Sequence, residues 1–226
     1  MTDAITAAEF TAAEGTGGWR VLRTSAVARF ETGSFGSGLR LITRIGVLAE
    51  SANHHPDVDL RYGSVTVRTW SHDVGGLSRR DVALAREISA AARELSIQPD
   101  TAGIREVAIG IDAMTGSAVQ PFWRAVLGYA EELERGGNNA AYPLVDADGR
   151  QPRVWFQQTD ERREQRGRIH LDIWVAHDQA EQRVAAAVAA GGRLVTDAFA
   201  PAWWVLADAE GNEACVCTWQ DKPSGR

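Results

Sequence analysis

Apolar residues recur at three- and four-residue spacing in two stretches of the first half of the chain, which predicts two amphipathic helices. The first runs into Asn53 and carries a stripe of Leu39, Ile42, Ile45, Leu48, Ala49 and Ala52. The second carries Leu84, Ile88, Ala91 and Leu95, and it begins with a capping box of Ser78 and Asp81. A shorter helical pattern over residues 4–15 is stopped by glycines that begin at Gly15.

Short β-type runs surround these helices. Trp19–Arg23 and Ala26–Phe30 predict a hairpin, and Leu60–Ser71 predicts one longer strand. On that strand one face carries Val65, Val67 and Thr69, while the other carries Thr66, Arg68, Trp70 and His72. The first half is therefore predicted to be an α+β domain with an antiparallel sheet and helices on one face.

The second half repeats one pattern of strand, helix and further strands. Its first copy has a strand over Arg105–Asp112, a helix ending near Tyr129 and a strand over Arg153–Gln157. Its second copy has a strand over Arg168–Val175, a helix with Val184 and Val188, and strands over Trp203–Leu206 and Glu213–Trp219. Loops are predicted over 136–140 and 160–167. The repetition predicts a duplicated βαβββ module.

These patterns divide the chain into two domains. We expect a first domain over 1–97, a linker of turn residues over 98–103, a second domain over 104–222 and a tail over 223–226.

Composition and charge exclude several classes of protein. The 226 residues carry a formal charge of -6, with a pI near 5.4, so there is no basic footprint for nucleic acid. The sequence lacks the basic start followed by an apolar run that is typical of a signal peptide. It also lacks the stretch of about 18 apolar residues that is typical of a membrane span. The two cysteines, Cys215 and Cys217, lie two apart on one predicted strand, in poor geometry for a mutual disulfide. We expect a reduced, cytoplasmic protein.

Histidines concentrate between residues 50 and 81. Three of the five in the chain, His54, His55 and His72, fall there, and Pro56 follows the adjacent pair. The first helix ends at this pair, where its dipole favours a protonated imidazole. Because histidine titrates near neutral pH, three histidines brought together suit proton transfer.

The spacing resembles the signature of the pterin-4a-carbinolamine dehydratases. That signature has an acidic residue four before His-His-Pro, an aromatic six after the proline, a later histidine and an aspartate opening the next helix. The positions are filled by Glu50, His54, His55, Pro56, Tyr62, His72 and Asp81.

The resemblance implies dehydration of 4a-hydroxytetrahydrobiopterin to a quinonoid dihydropterin, the reaction of a hydro-lyase. His54 and His72 would share the acid–base work and His55 would contribute to pterin binding. Substrate binding would fall to Glu50, Pro56, Tyr62 and Asp81. The resemblance implies no cofactor, a homo-oligomer, and a functional link to an aromatic amino-acid hydroxylase.

Simpler explanations stay open for single residues. Asp81 is explained fully as a helix cap, Tyr62 as a strand aromatic, and His54 as a cap at the helix C-terminus. A zinc site is disfavoured because adjacent histidines rarely ligate one ion and no cysteine lies nearby.

The second half resembles the glyoxalase-like group of the vicinal-oxygen-chelate superfamily. The resemblance is carried by Asp112 with Phe122-Trp123 and Leu127-Gly128-Tyr129, then by residues 168–172 and 208–213. It implies a cup built from two modules, often around a divalent metal held by His and Glu.

The metal set of that group is broken in this chain. His170 fits a ligand position, but Ala108 stands where a first-strand histidine is expected and Cys215 stands where a last-strand glutamate is expected. Glu213 and Gln157 are alternative donors. We expect a metal-free pocket with His170, Asp172, Glu213 and Cys215 as its candidate residues, and a divalent metal as the less favoured alternative.

Two other functions stay open for the whole chain. Dehydratase folds also serve as dimerisation and interaction modules, which have no need of the histidines. The second domain could instead carry the main activity, as a metal-dependent lyase or isomerase, which metal analysis would detect.

Overall fold

The computed structural model describes residues 3–132, 141–159, 170–175, 177–218 and 220. The chain divides into two compact units, Met1–Glu106 and Val107–Arg226. No helix in the described ranges is both long and apolar enough to cross a membrane.

The first unit is one antiparallel sheet with helices on one face. Its helices are α1 (Ala7–Ala12), α2 (Phe35–Ala52) and α3 (Arg79–Glu94). Its strands are β1 (Trp19–Leu22), β2 (Ser25–Glu31), β3 (Asp57–Arg61), β4 (Ser64–Thr69) and β5 (Gln98–Pro99). The sheet order is β1-β2-β4-β3, and β5 also pairs with β2. The predicted α+β fold is confirmed for this unit.

The predicted helix boundaries follow from local chemistry. Asn53 adopts a left-handed conformation with φ 45° and ends α2, while Ser78 and Asp81 form the expected capping box of α3. Leu41 and Ile45 from α2 then pack with Leu84 from α3 against Val67 of the sheet in one buried core.

Two predictions for this unit differ from the structure. The strand predicted over Leu60–Ser71 is a hairpin, because the chain turns at Tyr62-Gly63 between β3 and β4. The residues predicted as a linker over 98–103 begin inside the sheet, since Gln98 and Pro99 pair with β2.

The second unit contains two modules with the same connectivity. The first has β6 (Ala108–Ala113), α4 (Gly116–Leu127), β7 (Ala130–Glu131), β8 (Leu144–Val145) and β9 (Arg153–Gln158). The second has β10 (Leu171–Trp174), α5 (Ala180–Ala189), β11 (Arg193–Phe199), β12 (Trp203–Ala207) and β13 (Glu213–Cys217).

Each module forms its own four-stranded sheet. The orders are β6-β9-β8-β7 and β10-β13-β12-β11, and in each sheet the first and last strands pair in parallel. The predicted duplicated βαβββ module is thereby confirmed. Phe122 of α4, Ala187 of α5 and Leu206 of β12 belong to one buried core that the two modules share.

Some predictions for this unit cannot be compared with the structure. The loops predicted over 136–140 and 160–167, the start of the strand at 168–169 and the tail lie outside the described residues. The sequence pattern missed β11, whose residues are largely exposed and lack a clear alternation.

Candidate functional site

His54 lies immediately after α2, and its side chain turns toward the interior. Its Nε2 is 2.8 Å from a carboxylate oxygen of Asp81 and 3.3 Å from the Thr69 hydroxyl, and the residue is 8% exposed. Within the described ranges every buried polar side-chain atom has a hydrogen-bond partner. Because no group there bonds Nδ1 of His54, that nitrogen must reach solvent. The imidazole therefore has one nitrogen held inside and one available outside.

Asp81 is the centre of this network and has no exposed surface. Besides His54, its carboxylate accepts hydrogen bonds from the hydroxyls of Thr69 (2.6 Å), Ser71 (2.8 Å) and Ser78 (3.0 Å) and from the Ser78 N–H (2.8 Å). Burial raises the pKa of Asp81, but the hydrogen bonds from these partners outweigh burial and hold the pKa below its usual value. The carboxylate is consequently ionised beneath the imidazole.

His55 and Glu50 form a second pair, on the surface. His55 Nε2 is 3.2 Å from Glu50, which lies in the last turn of α2, and both side chains are well exposed. The structure thus brings Glu50 to His55 and leaves this imidazole open to a ligand.

His72 lies three residues beyond the end of β4, in a turn, and is exposed. Its ring packs against Trp70 with centroids 4.6 Å apart. Asp57 pairs with Arg68 across β3 and β4. Desolvation raises the pKa of the Asp57 carboxyl, while the nearby charges of Arg68 and His72 oppose that rise. Asp57 and His72 are therefore close enough to interact electrostatically.

Tyr62 does not join this group within one chain. It lies in the turn at the far end of the β3–β4 hairpin and is 78% exposed. Five residues of extended chain separate it from Asp57, which is roughly 16 Å. Pro56, by contrast, is half-buried directly before β3.

Asp81, predicted to bind the substrate, is fully buried. The hydrogen bonds described for its carboxylate go to protein groups, among them His54.

The open face of the second module's sheet forms a cavity of about 450 Å³. All four residues proposed from the sequence, His170, Asp172, Glu213 and Cys215, line it. Alternation along β10 and β13 places them there, because the intervening Leu171, Ile173, Ala214 and Val216 face the core.

Three potential donor groups meet in this cavity. His170 Nε2 is 3.2 Å from Asp172, and the donor atoms of His170, Asp172 and Cys215 all lie within 4.8 Å of one another. Burial, and then the negative charge of Asp172, raise the pKa of the Cys215 thiol to about 12. Cys215 and Cys217 are not joined in a disulfide.

The residues fit a family metal poorly. Ala108 has no donor side chain and lies with Gln157 on the first module's sheet, so neither belongs to the cluster in the cavity. Cys215 supplies a protonated thiol where the glutamate is expected, and a thiol must lose its proton to bind metal.

Two family descriptions match the chain. "Pterin 4 alpha carbinolamine dehydratase" matches residues 3–91, and "Glyoxalase-like domain" matches residues 108–217. A putative pterin-4-alpha-carbinolamine dehydratase of Chloroflexus aurantiacus is 39% identical over 70 residues, which cover 31% of this chain and 75% of that protein. The chain belongs to the pterin-4-alpha-carbinolamine dehydratase family. It carries, in addition, a glyoxalase-like domain, and the first match supports a dehydratase role.

Solved structures resemble each domain only loosely. A transcriptional coactivator/pterin dehydratase from Brucella melitensis is 25% identical, covers 33% of this chain and 82% of its own, and has a TM-score of 0.32. A possible glyoxalase from Bacillus cereus is 14% identical, covers 51% and 99%, and has a TM-score of 0.40.

Four residues around the dehydratase histidines were not predicted from the sequence as site residues. Thr69 and Ser71 hold Asp81, while Asp57 and Trp70 lie near His72. Asp57 had a usable signal, because it directly follows His-His-Pro. Thr69 and Ser71 had no such signal, since their partner Asp81 lies on a helix that begins further along the chain.

Proposed function

We propose that the dehydratase domain removes water from a 4a-hydroxytetrahydropterin, such as 4a-hydroxytetrahydrobiopterin, by histidine acid–base catalysis. The observation that carries this proposal is His54, whose Nε2 is held by buried Asp81 while Nδ1 reaches solvent. A carboxylate behind an imidazole fixes its orientation and leaves the outer nitrogen to exchange a proton. The names of the curated relatives support the same substrate class.

The reaction needs only two proton transfers. The substrate has a hydroxyl on the ring carbon next to a ring N–H. A base takes the proton from nitrogen, an acid gives a proton to the hydroxyl, the C–O bond breaks, and a C=N bond forms as water leaves. No electrons are exchanged with another reactant, so the step requires neither a metal nor a redox cofactor.

The side chains divide these tasks by position. His54 and His72 share the acid–base work, since His54 contacts Thr69, the last residue of β4, and His72 lies three residues further along the chain. His55 contributes to pterin binding with Glu50, because both are exposed and paired at 3.2 Å. Asp81 positions His54 and does not touch the substrate.

Turnover tests this proposal directly. We would generate 4a-hydroxytetrahydropterin in situ and follow its dehydration by absorbance with the wild type, His72→Ala and, as a matched control, His177→Ala in the glyoxalase-like domain. The wild type should exceed the spontaneous rate, and His72→Ala should lose about 10²–10⁴-fold. A wild-type rate equal to the spontaneous rate would contradict dehydratase activity and favour a non-catalytic interaction module.

We further propose that copies of this chain associate through α2. This helix exposes the large apolar side chains of Phe35, Leu39 and Val47, and burying them in an interface would remove apolar surface from water. Light scattering should find an oligomer for the wild type and a smaller species for Leu39→Glu.

The product of the proposed dehydration would return to a cycle that serves an aromatic amino-acid hydroxylase.

The glyoxalase-like domain is proposed to bind a small molecule in its cavity without a metal. The second candidate, a metal-dependent lyase or isomerase, is favoured by the three donor atoms within 4.8 Å of one another. Metal analysis of the purified protein separates the two. We expect well under one zinc or other divalent ion per chain, and one tightly held ion with metal-stimulated turnover would establish the second candidate.

A further inference from the structure

The cavity of the glyoxalase-like domain is arranged in rows across its sheet. Trp174 pairs in register with Cys217, and Cys217 pairs with Trp203, so two indoles flank one thiol in a single row. Phe199 stacks on Trp203 with centroids 4.5 Å apart and planes 16° apart. One end of the cavity is therefore aromatic.

The next row is polar. Asp172 pairs with Cys215 two residues before the aromatic row, and Glu213 begins β13 another two residues back. Two residues of a strand span about 6.7 Å. A flat ring lying against the aromatic row would thus bring its edge to Asp172.

The charged side chains of the cavity restrict which chemical groups the edge of a bound ring can carry. Asp172 and Glu213 carry negative charge, and the described residues that line the cavity include neither Lys nor Arg. His170 is already engaged by Asp172 at 3.2 Å. Carboxylates accept hydrogen bonds and repel anions, so the matching edge carries N–H donors.

The aromatic end is exposed although it is concave. Trp174 is 54% exposed and Phe199 is 45% exposed. Large rings around a cavity of about 450 Å³ are typical of a small-molecule site, because a ligand gains by covering them.

We propose that this cavity binds a flat nitrogen heterocycle whose edge presents adjacent N–H donors, the aminopyrimidinone class to which the pterin ring belongs. The ring stacks on Trp174 and Trp203, and its donor edge meets Asp172. The choice of the pterin class rests on the proposed dehydratase function. The cavity would then be a second site in the chain for the same kind of ring.

Calorimetric titration of the full chain with unsubstituted pterin tests this proposal. The wild type should bind two molecules per chain. Trp174→Ala should weaken one of the two sites about ten- to hundredfold through lost stacking, and Asp172→Asn about tenfold. Trp155→Ala is the matched control, because Trp155 is an exposed indole on the sheet of the first module and does not line this cavity, and it should leave both sites intact.

Smaller probes separate the chemistry of the edge. 2-Aminopyrimidin-4-one should compete at the Trp174-dependent site, whereas benzoate, a flat ring with an anionic edge, should not. Benzoate competing as well as the aminopyrimidinone, or a single pterin site insensitive to Trp174→Ala, would overturn the proposal. Pterin binding that depends on Trp174 in a protein without dehydratase turnover would contradict only the proposed function, while turnover without the second site would contradict only this inference.

Discussion

Two histidine–aspartate pairs in the described part of the chain lie in opposite surroundings. His54 and Asp81 are 2.8 Å apart and buried, whereas His170 and Asp172 are 3.2 Å apart with side chains 54% and 49% exposed. Removing an ion from water costs several kcal/mol, so the buried carboxylate survives only because four further hydrogen bonds satisfy it. The exposed pair stays in contact with water, so it needs no such compensating hydrogen bonds. Burial thus fixes one imidazole for chemistry, and exposure leaves the other pair free to rearrange around a ligand.

The largest difference between the pairs should appear in dehydratase turnover. His54→Gln should lower it by about 10²–10⁴-fold, because an amide keeps a hydrogen bond to Asp81 but transfers no proton at neutral pH. His170→Gln should leave it unchanged. Rates measured with circular dichroism of each variant separate a chemical effect from unfolding, and equal losses in both variants would show that the comparison is wrong.

The next largest difference should be in how much Asp81 and Asp172 each contribute to the free energy of unfolding. Asp81→Asn should lower the free energy of unfolding by about 2–4 kcal/mol, because an amide cannot accept from all the donors that surround this position. Asp172→Asn should cost less than about 0.5 kcal/mol, as expected of an exposed pair. Urea denaturation of both variants measures the difference, and similar midpoints would mean that the buried network contributes little.

Acid should then reduce the contribution of Asp81. Its pKa in the folded state lies below that of the unfolded chain, which is about 3.9. Its stabilising effect is accordingly complete above that unfolded value and is lost as the pH falls through the folded pKa. The difference in stability between the wild type and Asp81→Asn should shrink as the pH falls below about 4. A difference that stays constant as the solution is acidified would show that ionisation is not what Asp81 contributes.

The sequence predicted the local parts of this comparison and missed the assembled ones. The capping box of Ser78 and Asp81 and the end of α2 at Asn53 depend on neighbours in the chain, and both are confirmed. The contact between Asp81 and Thr69 joins separate elements, and no periodicity encodes it. The turn at Tyr62-Gly63 was missed because β-type residues continue on both sides and the pair lacks a strong hairpin signal.

The second unit shows the same division. The repeat of strand and helix patterns predicted the duplicated module, and strand alternation brought all four proposed residues to one cavity. The aromatic wall was not predicted, since Phe199 lies on β11, which has no recognisable pattern, and reaches Trp203 only through pairing.

The smallest expected effect concerns the Cys215 thiol beside the exposed pair. Burial is the main cause of its pKa of about 12, and the charge of Asp172 comes second. On a Cys217→Ser background, Asp172→Asn should therefore speed alkylation of Cys215 at pH 8 by less than about tenfold, since the larger cause remains. Asp178→Asn, an exposed aspartate elsewhere in the same unit, is the control and should change nothing. If Asp172→Asn made Cys215 as reactive as a free thiol, the charge of Asp172 rather than burial would be the main cause of the raised pKa of this thiol. The exposed Asp172 would then influence its neighbour as strongly as the buried Asp81 influences His54.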